Sequence, residues 1–152
     1  MDTLDDWLIA IHILAAVIWV GGALAVQLLA SRTKATTPPA ELASFAQTVD
    51  FVAPRTFIPA SLTLIVTGII LVSRDVFELQ TWVVIGLVVW TVSFISGAGF
   101  LGPQTAKFGK ELEEHGPTPG VMKRLDTIML ISRIELVLLV LVVLDMSLKP
   151  GA

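Results

Sequence analysis

His12 lies inside an apolar stretch and is the side chain of this chain best suited to hold a cofactor. On a helix, at about 100° per residue, Trp19 falls on the same face, with small residues such as Ala15 and Ala16 between the two. Two interpretations follow. Small residues permit close packing, with His12 hydrogen-bonded to a neighbouring helix. Alternatively, they make room for a flat cofactor whose iron His12 ligates, since ionisable groups inside membranes are often functional.

The sequence offers no clear second ligand for an iron on His12. The other histidine, His115, falls in a polar connection and is expected to be a solvated loop residue. Met146 and Lys149, near the end of the last apolar stretch, are expected at about the depth of His12. Either of these, or His12 of a second subunit, is open as the second ligand, although methionine more often fills a core.

Asp145 is also expected at about the depth of His12. A carboxylate bonded to the imidazole would orient the ring and make it more basic, whereas a solvated helix end beside Lys149 is the simpler interpretation. The candidate site for haem b or a metal comprises four residues, with His12 as the metal ligand: His12, Trp19, Asp145 and Met146. No catalytic residue is assigned, because no phosphate loop, nucleophile elbow or paired-histidine protease motif occurs.

Arg133 and Glu135 place two ionic groups inside the last apolar stretch, and both are predicted to be buried polar or ionic positions. Two residues apart on a helix, they point about 160° away from each other and are not expected to pair directly. Arg133 can extend its guanidinium towards the interface. Glu135 is expected to face another helix or a wet cavity. Its candidate partners are Ser93, Ser96 and Arg55.

Four apolar stretches must position these side chains. Each is about long enough to cross a hydrocarbon core roughly 30 Å thick, which takes roughly 20 helical residues. The composition, with 55% apolar and 15% charged residues, fits a bilayer protein. The connections are too short for a soluble domain. We therefore predict one integral-membrane domain over residues 1–152, an all-α bundle of four transmembrane helices. They cover residues 7–30, 57–73, 82–101 and 128–148.

Basic residues predict how this bundle is oriented. They concentrate in the first and third connections, and the positive-inside rule therefore places these connections in the cytoplasm and both termini outside. Short amphipathic surface helices are predicted in both connections. In the first, Leu42, Phe45 and Val49 recur at helical spacing. Pro54 and Pro59 predict a kink or break before the second transmembrane helix.

Residues 11–22 resemble the first helix of an uncharacterised bacterial integral-membrane family, domain of unknown function 2269, and residues 52–54, 67–68 and 146–150 look similar too. The His-x6-Trp-x-Gly-Gly pattern also resembles helices of the copper-resistance inner-membrane and membrane protoporphyrinogen oxidase families. The resemblance implies a multi-pass protein of the bacterial plasma (inner) membrane, in which His12 inherits a position tied to haem or metal handling. The missing second intramembrane histidine is a departure from those relatives.

Three functional hypotheses follow. The first is a redox or haem-handling protein with His12 as axial ligand. The second is a non-catalytic scaffold or assembly subunit, in which His12, Arg133 and Glu135 make helix contacts. The third is a small transporter or proton path using Glu135. The expected partners are the lipid bilayer and either further copies of the chain or subunits of a membrane complex. A net charge of −3 argues against nucleic acid, and the absence of cysteine excludes thiolate chemistry.

Overall fold

The computed structural model describes residues 2–36, 38–74 and 76–149, and this part of the chain is all-helical, as predicted. Four of its helical segments are long and apolar enough to cross a membrane, counting α3, the π-helical turn and α4 as one continuous segment. The elements are α1 (Thr3–Thr36), α2 (Pro39–Ser73), α3 (Thr81–Ser96), a π-helical turn (Gly97–Leu101), α4 (Gly102–His115) and α5 (Pro119–Leu148).

The segments run alternately up and down, which gives the bundle two ends. At the terminal end, where α1 begins and α5 finishes, Arg74 donates hydrogen bonds to Asp5 (2.7 Å) and Asp2 (2.8 Å). These partners, Asp5 first, raise the pKa of Arg74 above its ordinary value. At the connection end, where α1 joins α2 and α4 joins α5, Lys34 pairs with Asp126. Ion pairs between neighbouring helices thus fasten both ends.

Helix α2 differs from its prediction. It is continuous from Pro39 to Ser73 and contains both Pro54 and Pro59, so the predicted surface helix is not separate, and of the predicted kink or break the break does not occur. Its 35 residues span roughly 50 Å, well beyond a hydrocarbon core of roughly 30 Å. A proline inside a helix costs about 3 kcal/mol. The first turns of α2 are buried in one apolar cluster with residues of α4 and α5.

A small apolar core at the connection end holds these first turns in place. Glu111 on α4 accepts a hydrogen bond from Arg124 on α5 at 3.0 Å. This connection is helical, as predicted, but its helix α4 continues α3 through the π-helical turn, and the pairs Lys107–Glu111 and Lys110–Glu114 form along it, at 3.8 Å. Gly116 ends α4 with a φ of 71°, a left-handed conformation that favours glycine. The core residues are Leu42, Ala43, Ala46, Phe108, Leu112, Val121, Leu125 and Met129.

The membrane-spanning half has a second, smaller core, formed by Trp19, Ala60 and Leu139. Large apolar side chains on the outside of the bundle are exposed instead, for example Leu14 (59%) and Val66 (53%). In water such a surface would be a liability, but in a bilayer it is the surface that faces lipid. The bundle therefore gains little from a packed interior, and space is left between its helices.

Candidate functional site: a cavity at the connection end

A cavity of about 500 Å³ lies between all the helices, from the level of Trp19 to the connection end. Pockets that hold small molecules usually measure roughly 300–1,000 Å³ and are mostly apolar with a few polar groups. This cavity has that composition. Its aromatic wall consists of Trp19, Phe45, Phe57 and Phe94.

Two deeply buried polar side chains line the cavity and lack partners. Gln27 is 8% exposed, and its Oε1 accepts a hydrogen bond from Ser132 Oγ at 2.6 Å, while its Nε2 has no partner among the described residues. Ser93 is 1% exposed, and its Oγ likewise has none. Buried polar groups are nearly always hydrogen-bonded, because leaving one unpaired costs about 1–3 kcal/mol. Both atoms therefore indicate a bound molecule or water.

Glu135 contributes a half-buried carboxyl group to the same cavity. Ser96 Oγ donates a long hydrogen bond of 3.5 Å to its Oε2, which confirms Ser96 as a predicted partner. The described residues include no ion pair to Glu135. The predicted partner Arg55 lies elsewhere, because it is on an exposed face of α2, where it donates to the Phe51 carbonyl at 2.7 Å.

Local backbone geometry brings α3 close to this carboxyl group. A side chain at Gly97, the first residue of the π-helical turn, would place its Cβ 3.7 Å from Glu135 Oε1. Turns of this kind interrupt helices frequently at functional sites. On α5, Ser132 and Glu135 are three residues apart and share a face, so the amide of Gln27 lies about one turn from the carboxyl group.

His12 lies nearer the terminal end and does not line the cavity. Its Nδ1 is 2.8 Å from Thr67 Oγ1 on α2, which confirms the predicted hydrogen bond across the bundle. The Thr67 hydroxyl donates its proton to the Thr63 carbonyl at 2.6 Å and so accepts from the histidine. His12 therefore carries its proton on Nδ1, and its Nε2 keeps a lone pair.

The other residues of the predicted cofactor site are dispersed. Trp19 is buried in the cavity wall, whereas Met146 packs its terminal methyl group against Gly86 on α3. Asp145 Oδ2 is buried and has no hydrogen-bond partner within residues 2–36, 38–74 and 76–149. The described part of the chain holds no group of three or more His, Cys, Asp or Glu side chains that could hold a metal ion.

Two further predictions concern charged groups. His115 is exposed at the end of α4, as expected. Arg133 was predicted to be a buried ionic group, and this is wrong. Its side chain lies on the surface of the bundle, where its Nη2 donates a 3.5 Å hydrogen bond to Ser31 Oγ, because its face of α5 points outward.

Gln27 and Ser132 are two polar residues of this site that the sequence did not single out. One signal was present, an amide side chain near the end of a long apolar stretch. The role of the Gln27 amide depends on its partner Ser132. Ser132 lies far away in the sequence and is brought opposite Gln27 by the packing of α1 against α5. No protein family, curated protein or solved structure matches this chain, so the site is interpreted from its own geometry.

Proposed function

We propose that this multi-pass membrane protein binds a small amphiphilic molecule inside its helix bundle. The observation that carries the proposal is the cavity of about 500 Å³, whose mostly apolar lining includes Gln27 and Ser93, each with a buried side-chain atom that has no partner among the described residues. An apolar body would fill the aromatic wall. A polar head would accept a hydrogen bond from Gln27 and exchange one with Ser93. Two carboxyl groups line the cavity, those of Glu135 and of the exposed Asp50, and Glu135 lies one helical turn along α5 from Ser132, the partner of Gln27.

Calorimetry on the purified protein in nanodiscs tests the proposal with three probes, dodecanol, dodecylamine and dodecanoic acid. At least one is expected to bind saturably, one per chain, above the signal from empty nanodiscs. Ala23 lines the cavity, so Ala23→Phe should fill it and weaken binding by about tenfold or more. Ala10→Phe, on an exposed face of α1, is the matched control. Binding by no probe, or equal binding by both variants, would refute the proposal.

Ligation of a haem iron or another metal by His12 is the second candidate function, and it is favoured by the free lone pair on Nε2. The residues present fit a single axial ligand, His12, since Met146 packs on Gly86. Bound haem b would supply one-electron redox chemistry. Two further expectations are part of this second proposal. They are membership of the uncharacterised bacterial family that the sequence resembles and a location in the plasma membrane.

An absorption spectrum of protein expressed with added haem precursor tests this second candidate. Haem ligation predicts a stoichiometric Soret band that disappears in His12→Ala and persists in His115→Ala, because His115 is exposed on α4. A spectrum without the band, recorded on folded protein that was supplied with haem, would exclude haem ligation by His12. The scaffold hypothesis would then remain for the half of the bundle at the terminal end.

A further inference from the structure

The cavity has an opening in its side, between α2 and the segment formed by α3 and α4. Above the opening, Trp90 Nε1 donates a hydrogen bond of 2.9 Å to the Ser61 carbonyl and holds α3 to α2. Below it, α4 approaches α2 so closely that a Cβ at Gly109 would lie 3.4 Å from that of Ala46. Between these two contacts, α2 and α3 diverge. The exposed lining residues on the two sides are Asp50, Pro54, Ile58, Ala98, Pro103 and Ala106.

This opening, which we call the side window, lies where two apolar stretches end, and Asp50 and Ala106 continue its rim towards the connection end. Its upper rim, Ile58 and Ala98, belongs to the apolar stretches 57–73 and 82–101, at their connection ends. Pro54 and Pro103 on the lower rim lie just beyond those stretches. The window therefore opens at the boundary between acyl chains and headgroups. A molecule dissolved in that leaflet reaches the cavity without crossing water.

The carboxyl group of Glu135, which lines the cavity behind the window, determines which polar head group is bound favourably. Glu135 has one long hydrogen bond, to Ser96, and no ion pair among the described residues. An ionised carboxylate in apolar surroundings is costly unless a cation accompanies it. A protonated amine supplies that cation and donates further hydrogen bonds, for which Ser93 Oγ is a buried acceptor. Trp19 and Phe94 also line the cavity, and aromatic rings attract cations over their faces, one of which in Phe94 is stacked on Trp90.

We infer that the cavity takes a lipophilic amine from the bilayer through the side window, with the ammonium group on Glu135. The inference rests on the proposed function and specifies the ligand class and the route. Gln27 Nε2 then donates to an oxygen beside the amine or to a water that accompanies it.

Comparison of dodecylamine with dodecanol, which share a chain and differ in the head, tests the ligand class in the calorimetric assay. Dodecylamine is expected to bind at least about tenfold more tightly. Glu135→Gln should abolish this preference while dodecanol still binds, and Glu114→Gln, an exposed carboxylate on α4, should retain it. Equal binding of both probes to the wild type would overturn the inference and leave the proposed function standing. Binding of neither would overturn both.

The route is tested by the rate at which dodecylamine passes from vesicles into nanodisc-bound protein. A large side chain in the window, Ala98→Trp, is expected to slow association severalfold relative to Val88→Trp, a lipid-facing position on the same helix. Equal rates for the two variants would show that the amine enters by another path.

Discussion

At the scale of single residues, the pairing of His12 with Thr67 links a sequence feature to a defined chemical state. The imidazole is half-buried, and its Nδ1–H donates to a threonine that is 5% exposed. A buried donor that loses its acceptor keeps the full cost of its desolvation. This hydrogen bond therefore stabilises the contact between α1 and α2, whether or not Nε2 binds a ligand.

Thr67→Val, which preserves shape and removes the hydroxyl group, is expected to lower the free energy of unfolding by about 1–3 kcal/mol. Thr67→Ser keeps the hydroxyl group and should lose markedly less. Denaturant unfolding in detergent, followed by circular dichroism, measures both. Equal losses for the two variants would indicate that the methyl group, and not the hydrogen bond, stabilises this contact.

At the scale of helices, two neighbouring glycines in α1 have different roles. A Cβ at Gly22 would lie 2.7 Å from the Phe57 ring on α2, whereas one at Gly21 would meet nothing within 4 Å. Gly22 therefore permits the close approach of α1 and α2, and Gly21 does not. Phe57 also lines the cavity, so the spacing of these two helices determines its width.

Gly22→Ala is expected to be less stable than Gly21→Ala by about 1–3 kcal/mol, because the Phe57 ring must move away from the added methyl group. Gly21→Ala should be neutral or slightly stabilising, as alanine favours helix more than glycine does. Thermal unfolding of the two purified variants gives the comparison. Similar unfolding temperatures would mean that the ring moves aside without cost.

At the scale of the whole molecule, charge differs between the two ends. The connection end carries most of the basic side chains, while the terminal end has Arg74, paired with Asp2 and Asp5, and Lys149, which lies over the Phe77 ring at 4.5 Å. We propose that the connection end is cytoplasmic, since basic residues near membrane spans are retained there. The basic residues of that end are Arg32, Lys34, Arg55, Lys107, Lys110, Lys123 and Arg124.

The absence of native cysteine makes this orientation directly measurable. In intact bacterial cells, a membrane-impermeant maleimide is expected to label Glu78→Cys, at the terminal end, and not His115→Cys, at the connection end. Both positions are exposed and should react after permeabilisation. The reverse labelling pattern would place the termini in the cytoplasm and contradict the charge argument.

The residues of the site show how far sequence reasoning reached. Ser96 was predicted as a partner of Glu135 because helical rise fixes depth in a bundle, and the structure confirms it. Arg55 shares that depth but points to another side, which depth alone does not determine. The two prolines of α2 predicted a kink or break from local stereochemistry, whereas the helix continues through both of them.

The sequence by itself determined that four segments suit a bilayer, because apolar length is a property of each segment alone. Only the tertiary structure decided where those segments leave space. The cavity lies between all the helices, with Gln27 on α1 and Ser93 on α3, and the side window lies between α2 and the segment formed by α3 and α4. A side chain contributes to a binding site only when helices that are distant in the sequence pack around it. No local sequence pattern encodes how those helices are oriented.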